Sequence, residues 1–165
     1  MAGVWVGAVL ALALATGCMP EPEPTPSPTG FASEEEAFAA AEETYRAYVD
    51  AVNARRTDAH SGVDPKSFLT GGALDADLRS DERFASKGIR IEGATSIRSF
   101  EMGSVTGDGI ALTVCLDATQ TRVLDEQNND VTPPDRPETL PLDVLMTGGR
   151  DGLLISESIT GDSSC

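Results

Sequence analysis

SEEEAFAAAEETYRAYVDAVNARR, residues 33–56, is the stretch on which the fold turns. Ser33 is an N-cap residue and Glu36, three positions on, completes a capping box. Glu34, Glu35 and Glu36 crowd the first turn, where the helix dipole favours negative charge. From there Phe38, Ala41, Tyr45, Tyr48, Val49 and Val52 recur at spacings of three and four and form one apolar stripe. Arg55 and Arg56 close the last turn with the sign that the dipole prefers. A helix with one apolar stripe needs a second layer to bury it.

The rest of the chain supplies that layer. Asp64-Pro65 sets a cap residue before a proline suited to a first helical position, so Pro65 to Leu69 is expected to form one turn, ended by Gly71-Gly72. A second helix is predicted from about Ala73 to Ser86, presenting Leu74, Leu78, Phe84 and Ala85, with Gly88 as its stop. Beyond it the period becomes two. Ile89, Ile91, Thr95 and Ile97 share odd parity while Phe100 and Met102 are even, which predicts a bulge near Arg98 and Ser99 and a bent strand. Ile110, Leu112, Val114 and Leu116 line one face of the next strand, with Ala111, Thr113, Cys115 and Asp117 on the other. Leu140, Leu142, Val144 and Met146 repeat the pattern, and Leu153, Ile155 and Ile159 follow the hairpin turn GGRDG. Pro141 cannot donate to a ladder, so its amide position should face an edge or a break in pairing. Helices first and a bent antiparallel sheet after them make an α+β domain.

From Ser33 to Ile159 this order resembles the nuclear transport factor two-like superfamily, which also contains polyketide cyclases and ketosteroid isomerases; in wording it is similar to actinobacterial lipoproteins of that fold. The resemblance implies a cone-like arrangement with a cavity between helix and sheet, in which the superfamily's enzymes use an Asp, His or Tyr. Tyr45, Tyr48, Asp117 and Asp143 are the counterparts available, but none sits in a motif and both tyrosines fall on the core stripe, where packing is the simpler role.

Upstream, Val4 to Ala15 reads VWVGAVLALALA, an apolar run that would make a helix about 18 Å long. A bilayer core of about 30 Å is beyond its reach, whereas a signal-peptide h-region is of this length. Leu14-Ala15-Thr16-Gly17-Cys18 resembles the lipobox of bacterial lipoproteins, with Ala15 three residues before the cysteine and Leu14 one place earlier. The resemblance implies cleavage before Cys18 and a diacylglyceryl thioether on it. Prolines at 20, 22, 24, 26 and 28 then alternate with Glu, Thr and Ser, giving an extended spacer of roughly 3.1 Å per residue. The expected organisation is therefore a lipoprotein signal peptide over 1–17, a tether over 18–32 and one α+β domain over 33–165.

With Cys18 acylated, Cys115 and Cys165 remain as an even pair in a compartment that permits oxidation, and a disulfide between them is expected. Other candidates carry less. The only histidine, His60, stands in the polar stretch TDAHSGVD, where a solvated loop residue is the better reading than a general base. GDSSC, residues 161–165, resembles the nucleophile region of serine proteases, GDSGG, without a partner constellation. Asp125-Glu126-Gln127-Asn128-Asn129-Asp130 is rich in oxygen ligands but lacks the spacing of a calcium loop, which favours a charged hairpin turn. A formal charge of −15, from 27 acids against 12 bases, argues against a nucleic-acid surface.

These readings converge on a protein anchored by lipid on the extracytoplasmic face of the cell membrane. It is expected to be a non-catalytic binding or accessory module for a small ligand or an envelope protein, with no cofactor or metal. The alternative, which the resemblance implies, is a small-molecule isomerase, cyclase or dehydratase using a cavity carboxylate. A polar pocket holding an aspartate with a raised pKa beside a tyrosine would favour the enzyme. A cavity filled by Tyr45, Phe38 and leucine side chains would favour the module.

Overall fold

The first helix forms where its cap requires. In the structure, a computed structural model that describes residues 3, 30–60, 62–162 and 165, α1 spans Glu34–Thr57. Ser33 accepts a hydrogen bond from the Glu36 amide at 3.2 Å, and the Glu36 carboxylate accepts in return from the Ala32 amide at 2.7 Å, one residue earlier than a standard box. That bond, with Arg150 beside it, holds the Glu36 carboxyl below its ordinary value. Cys18, Trp5 and the tether's prolines lie outside the described residues.

After α1 come a 3₁₀ turn, Pro65–Phe68, and α2, Gly71–Lys87. Asp64 caps the turn through the Lys66 amide, and Gly88 ends α2 in the left-handed conformation, both as the sequence suggests. Gly71-Gly72 correct the expectation: they open α2 instead of closing the turn, because the Thr70 amide is already held by the Ile155 carbonyl at 2.9 Å. Leu78 is a second correction. Only the first turn of α2 meets the core, through buried Ala73 and half-buried Leu74, so Leu78, a turn further on, is 44% exposed.

The strands are β1 Ile89–Glu92, β2 Ser96–Thr106, β3 Gly109–Asp117, β4 Arg122–Asp125, β5 Thr139–Gly149 and β6 Gly152–Thr160. They form an antiparallel four-stranded sheet of order β2-β3-β5-β6 and a separate two-stranded pair, β1 with β4. The break between β1 and β2 replaces the single bent strand read from the sequence. Gly93 turns the corner at φ +88, and a Cβ there would stand 2.0 Å from the Gln120 carbonyl oxygen, so the passing loop demands glycine.

Register fixes the faces. Ile110 pairs with Met146, Leu112 with Val144 and Val114 with Leu142, which places all six on the side of α1. On β2 the expected shift occurs between Ile97 and Ser99, and a second one follows between Met102 and Ser104. Together they bring Ile97, Phe100, Met102 and Val105 opposite the core-facing residues of β3. A third shift, in β6 between Ile155 and Glu157, overturns the expectation for Ile159: it reverses the parity, sets Ile159 opposite Asp143 and leaves it 61% exposed on the outward face. Pro141 sits where its missing donor costs nothing. Its carbonyl accepts from the Gly161 amide just past the end of β6, so its nitrogen faces the same break in pairing.

Ala37, Ala41, Tyr45 and Val49 of α1 pack on Ile110, Val114, Met146 and Ile155. On the opposite face Cys115 is 6% exposed, and its sulfur stands 2.20 Å from that of Cys165, with the Cα atoms 5.6 Å apart. Cys165 thus lies on the outward side of the sheet, and on the same side a Cβ on Gly161 would meet the Asp143 carboxylate at 2.8 Å.

A bridge closing a loop of 50 residues restricts the unfolded chain, and removing it should lower stability by up to about 4 kcal/mol. Reduction is expected to shift the urea midpoint down while the native helical signal persists, and non-reducing peptide mapping should recover the two cysteines linked. Ready thiol labelling of both in folded, aerobically prepared protein is the contrary result.

Candidate functional site

Beside the filled core, a cleft of about 720 Å³ opens between the second half of α1, the 3₁₀ turn, α2 and β1. Its apolar wall comes from Val52, Phe84, Ile89 and Ile91, with Tyr48 turned into it. The periodicity that makes α1 amphipathic accounts for this. Tyr45 and Val49 point at the sheet, whereas Tyr48 and Val52 lie on the flank of the same stripe and are half-buried.

Charged groups close the cleft's ends. Lys66 reaches across from the 3₁₀ turn to Asp77, at 3.2 Å, and Asp81, at 2.6 Å. The two carboxylates are one helical turn apart on the same face of α2, and a cation between them offsets their repulsion. The Asp81 bond is the main cause that raises the Lys66 pKa, with Asp77 adding to it. Arg55 pairs with Asp64 at 3.6 Å.

A polar clasp holds the cleft's back. Asn53 donates to the Thr95 carbonyl at 2.8 Å and accepts from the Thr95 amide at 2.9 Å, tying α1 to the corner between β1 and β2. Arg56 joins it, donating to the Thr95 hydroxyl at 2.8 Å and, less closely, to the Asn53 side chain and the Gly93 carbonyl, both at 3.4 Å. All three acceptors are neutral, and Arg56 makes no ion pair among the described residues. Burial pulls its pKa below the usual guanidinium value, and the neighbouring Tyr48 phenol acts the other way. Burial, and next the charge of Asp77, push the Tyr48 phenol up.

Of the candidates singled out from the sequence, Tyr48 lies in the cleft and the others fall elsewhere. Tyr45 is 1% exposed in the core, edge-on to Tyr48 and Phe100 at centroid distances of 5.7 and 6.0 Å. Asp143 lies on the outward sheet face, accepting from Thr113. Asp117, at the end of β3, accepts from the amide and hydroxyl of Thr119, which lowers its pKa. Tyr45, Asp117 and Asp143 therefore share no cavity. His60 is exposed, and its amide donates to Asp58. Asp125 accepts from the amides of Gln127 and Asn129 and from the Asn129 side chain, so its carboxylate serves its own turn. No cluster of three potential metal ligands occurs among the described residues.

Asn53, Lys66, Asp77, Asp81 and Thr95 were not singled out from the sequence. A signal for part of the set was present. Lys66 is one of two lysines, and Asp77 and Asp81 stand four apart on a helix, a repulsive spacing that calls for a cation. Nothing local joins Asn53 to Thr95, 42 residues on.

Asn53→Ala should cost about 1–3 kcal/mol, because it leaves both backbone groups of Thr95 without their partner in a partly buried corner. A lower urea midpoint at unchanged slope is the expected observation, and an unchanged midpoint would contradict the clasp.

Comparison of the chain with protein-family models, curated proteins and solved structures gave no match.

Proposed function

We propose that this protein is a lipid-anchored binding module on the extracytoplasmic face of the cell membrane. In this reading Cys18 carries the anchor after loss of a signal peptide, the proline-rich tether sets the domain off the surface, and the cleft beside α1 receives a small ligand. The observation that carries binding over catalysis is the placement of filled and open space. The volume between helix and sheet, where a cone-like cavity would lie, is occupied by Tyr45, Ala41 and Val49 against Ile110, Val114 and Met146. The open volume lies on the other flank of α1. An isomerase, cyclase or dehydratase of the resembling kind would bring Tyr45, Tyr48, Asp117 or Asp143 to a common cavity; Tyr48 lines the cleft, whereas Tyr45, Asp117 and Asp143 are parted between the core and the outside of the sheet.

Two helices followed by a bent antiparallel sheet support a nuclear transport factor two-like ancestry, with the cone closed by packing. The anchor draws its support from the apolar run ending at Leu14-Ala15-Thr16-Gly17-Cys18 and the prolines that follow. The pair at Cys115 and Cys165, at disulfide distance, is consistent with an oxidising exterior.

Expression in a bacterium that processes lipoproteins tests the anchor. Intact mass should show loss of residues 1–17 and a diacylglyceryl group on Cys18, and Cys18→Ala should leave the membrane fraction. The processed chain should also lack indole fluorescence, because Trp5 is the only tryptophan. Membrane retention of Cys18→Ala with an unmodified N-terminus would contradict the proposal.

A further inference from the structure

We infer that the cleft binds a small amphipathic monocarboxylate, its anionic end on Arg56 and its apolar body along Val52, Phe84, Ile89 and Ile91, an inference that rests on the cleft being the binding site. The distribution of charge points this way. The cleft's lining takes four of the chain's 12 bases, Arg55, Arg56, Lys66 and Arg90, but three of its 27 acids, Asp64, Asp77 and Asp81. A surface drawn at random from so acidic a chain would carry the opposite excess.

Pairing within the cleft then separates the cations. Arg55 and Lys66 are engaged by the three aspartates. Arg90 lies at the rim and donates to the Asp125 carbonyl and the Asn128 side chain. Arg56 is half-buried and has only neutral acceptors, all reached through one of its terminal nitrogens. A guanidinium partly withdrawn from water without a counter-ion is disfavoured, and an anion that takes its remaining, accessible donors relieves it. Tyr48 adds a donor. Its phenol lines the cleft and makes no hydrogen bond among the described residues, and its raised pKa keeps the proton in place.

The size of the anion follows from its surroundings. Asp77 and Asp81 stand at the same cleft, so a dianion such as a phosphate monoester would meet repulsion that a single carboxylate, shared between one guanidinium and one phenol, largely avoids. The apolar wall requires a hydrophobic body, and a volume of about 720 Å³ is within the usual range for drug-sized ligands.

Calorimetric titration of the purified chain with naphthalene-2-carboxylate and with its neutral isostere naphthalene-2-carboxamide tests the inference. The acid should bind at least about tenfold more tightly than the amide, the margin expected for a hydrogen-bonded charge pair. Arg56→Gln should abolish that margin, and Ala85→Trp, which fills the cleft, should weaken both probes. Arg56→Gln also removes the bond to Thr95, so the acid-to-amide ratio in the unmutated chain decides by itself. Equal affinities that both fall with Ala85→Trp would overturn the anion assignment and leave the cleft as a binding site. Binding of neither probe, or binding indifferent to Ala85→Trp, would overturn the cleft as the site and the inference with it.

Discussion

The seal between α1 and the sheet is the contact on which the rest of the molecule depends. Tyr45 lies at its centre, packed edge-on against Phe100 of β2 and covered by Val49 and Ala41. Burying a ring of that size contributes a large share of the 5 to 15 kcal/mol typical of a domain, and the small residues Ala37 and Ala41 let the helix approach closely enough for the ring to fit. Burial also pushes the Tyr45 phenol well up, so it stays protonated and inert throughout the physiological range. With this layer filled, the cleft lies to one side of it. The same helix that closes the core with one edge of its stripe walls the cleft with the other.

That side is held in place by polar contacts instead of apolar burial. Asn53 and Arg56 fasten α1 to the Thr95 corner, and Lys66 fastens the 3₁₀ turn to α2. Such contacts are directional and modest in net strength, so they set the shape of the cleft without adding much to stability. They also leave one cation without an acidic partner, an arrangement that a purely structural clasp would not require. A domain with a closed core and a cleft whose lining carries one more base than acid, in an otherwise acidic chain, is suited to receiving a small anion.

Local chemistry made much of the fold legible. The cap and stripe of α1, the alternation in β3 and β5, the kink at Arg98 and Ser99 and the pairing of Cys115 with Cys165 all follow from residues near one another or from elimination. What escaped depends on distant parts of the chain. Gly93 reads as an ordinary glycine until Gln120 passes over it, and so β1 leaves the main sheet. Gly71 looks like a stop until Ile155 fixes Thr70 ahead of it. Ile159 keeps the odd parity of Ile155, but Ser156 bonds the Leu145 carbonyl inside a bulge and turns the strand over. The cleft was illegible for the same reason, since Asn53 and Thr95, or Lys66 and Asp81, meet only after the helices have docked. The proposed anchor stands apart, because it rests on a motif of five residues and a proline-rich sequel that lie outside the described residues.

Chemical modification of the two tyrosines bears most directly on the seal. Nitration of the native protein with tetranitromethane, followed by peptide mass mapping, compares Tyr45 in the core with Tyr48 at the cleft, with the denatured chain as the reference for full reactivity. The closed core predicts that Tyr48 is modified while Tyr45 stays protected until the protein unfolds. Nitration of Tyr45 in the native state at a rate matching Tyr48 would mean that the space between helix and sheet is open, and would contradict the account.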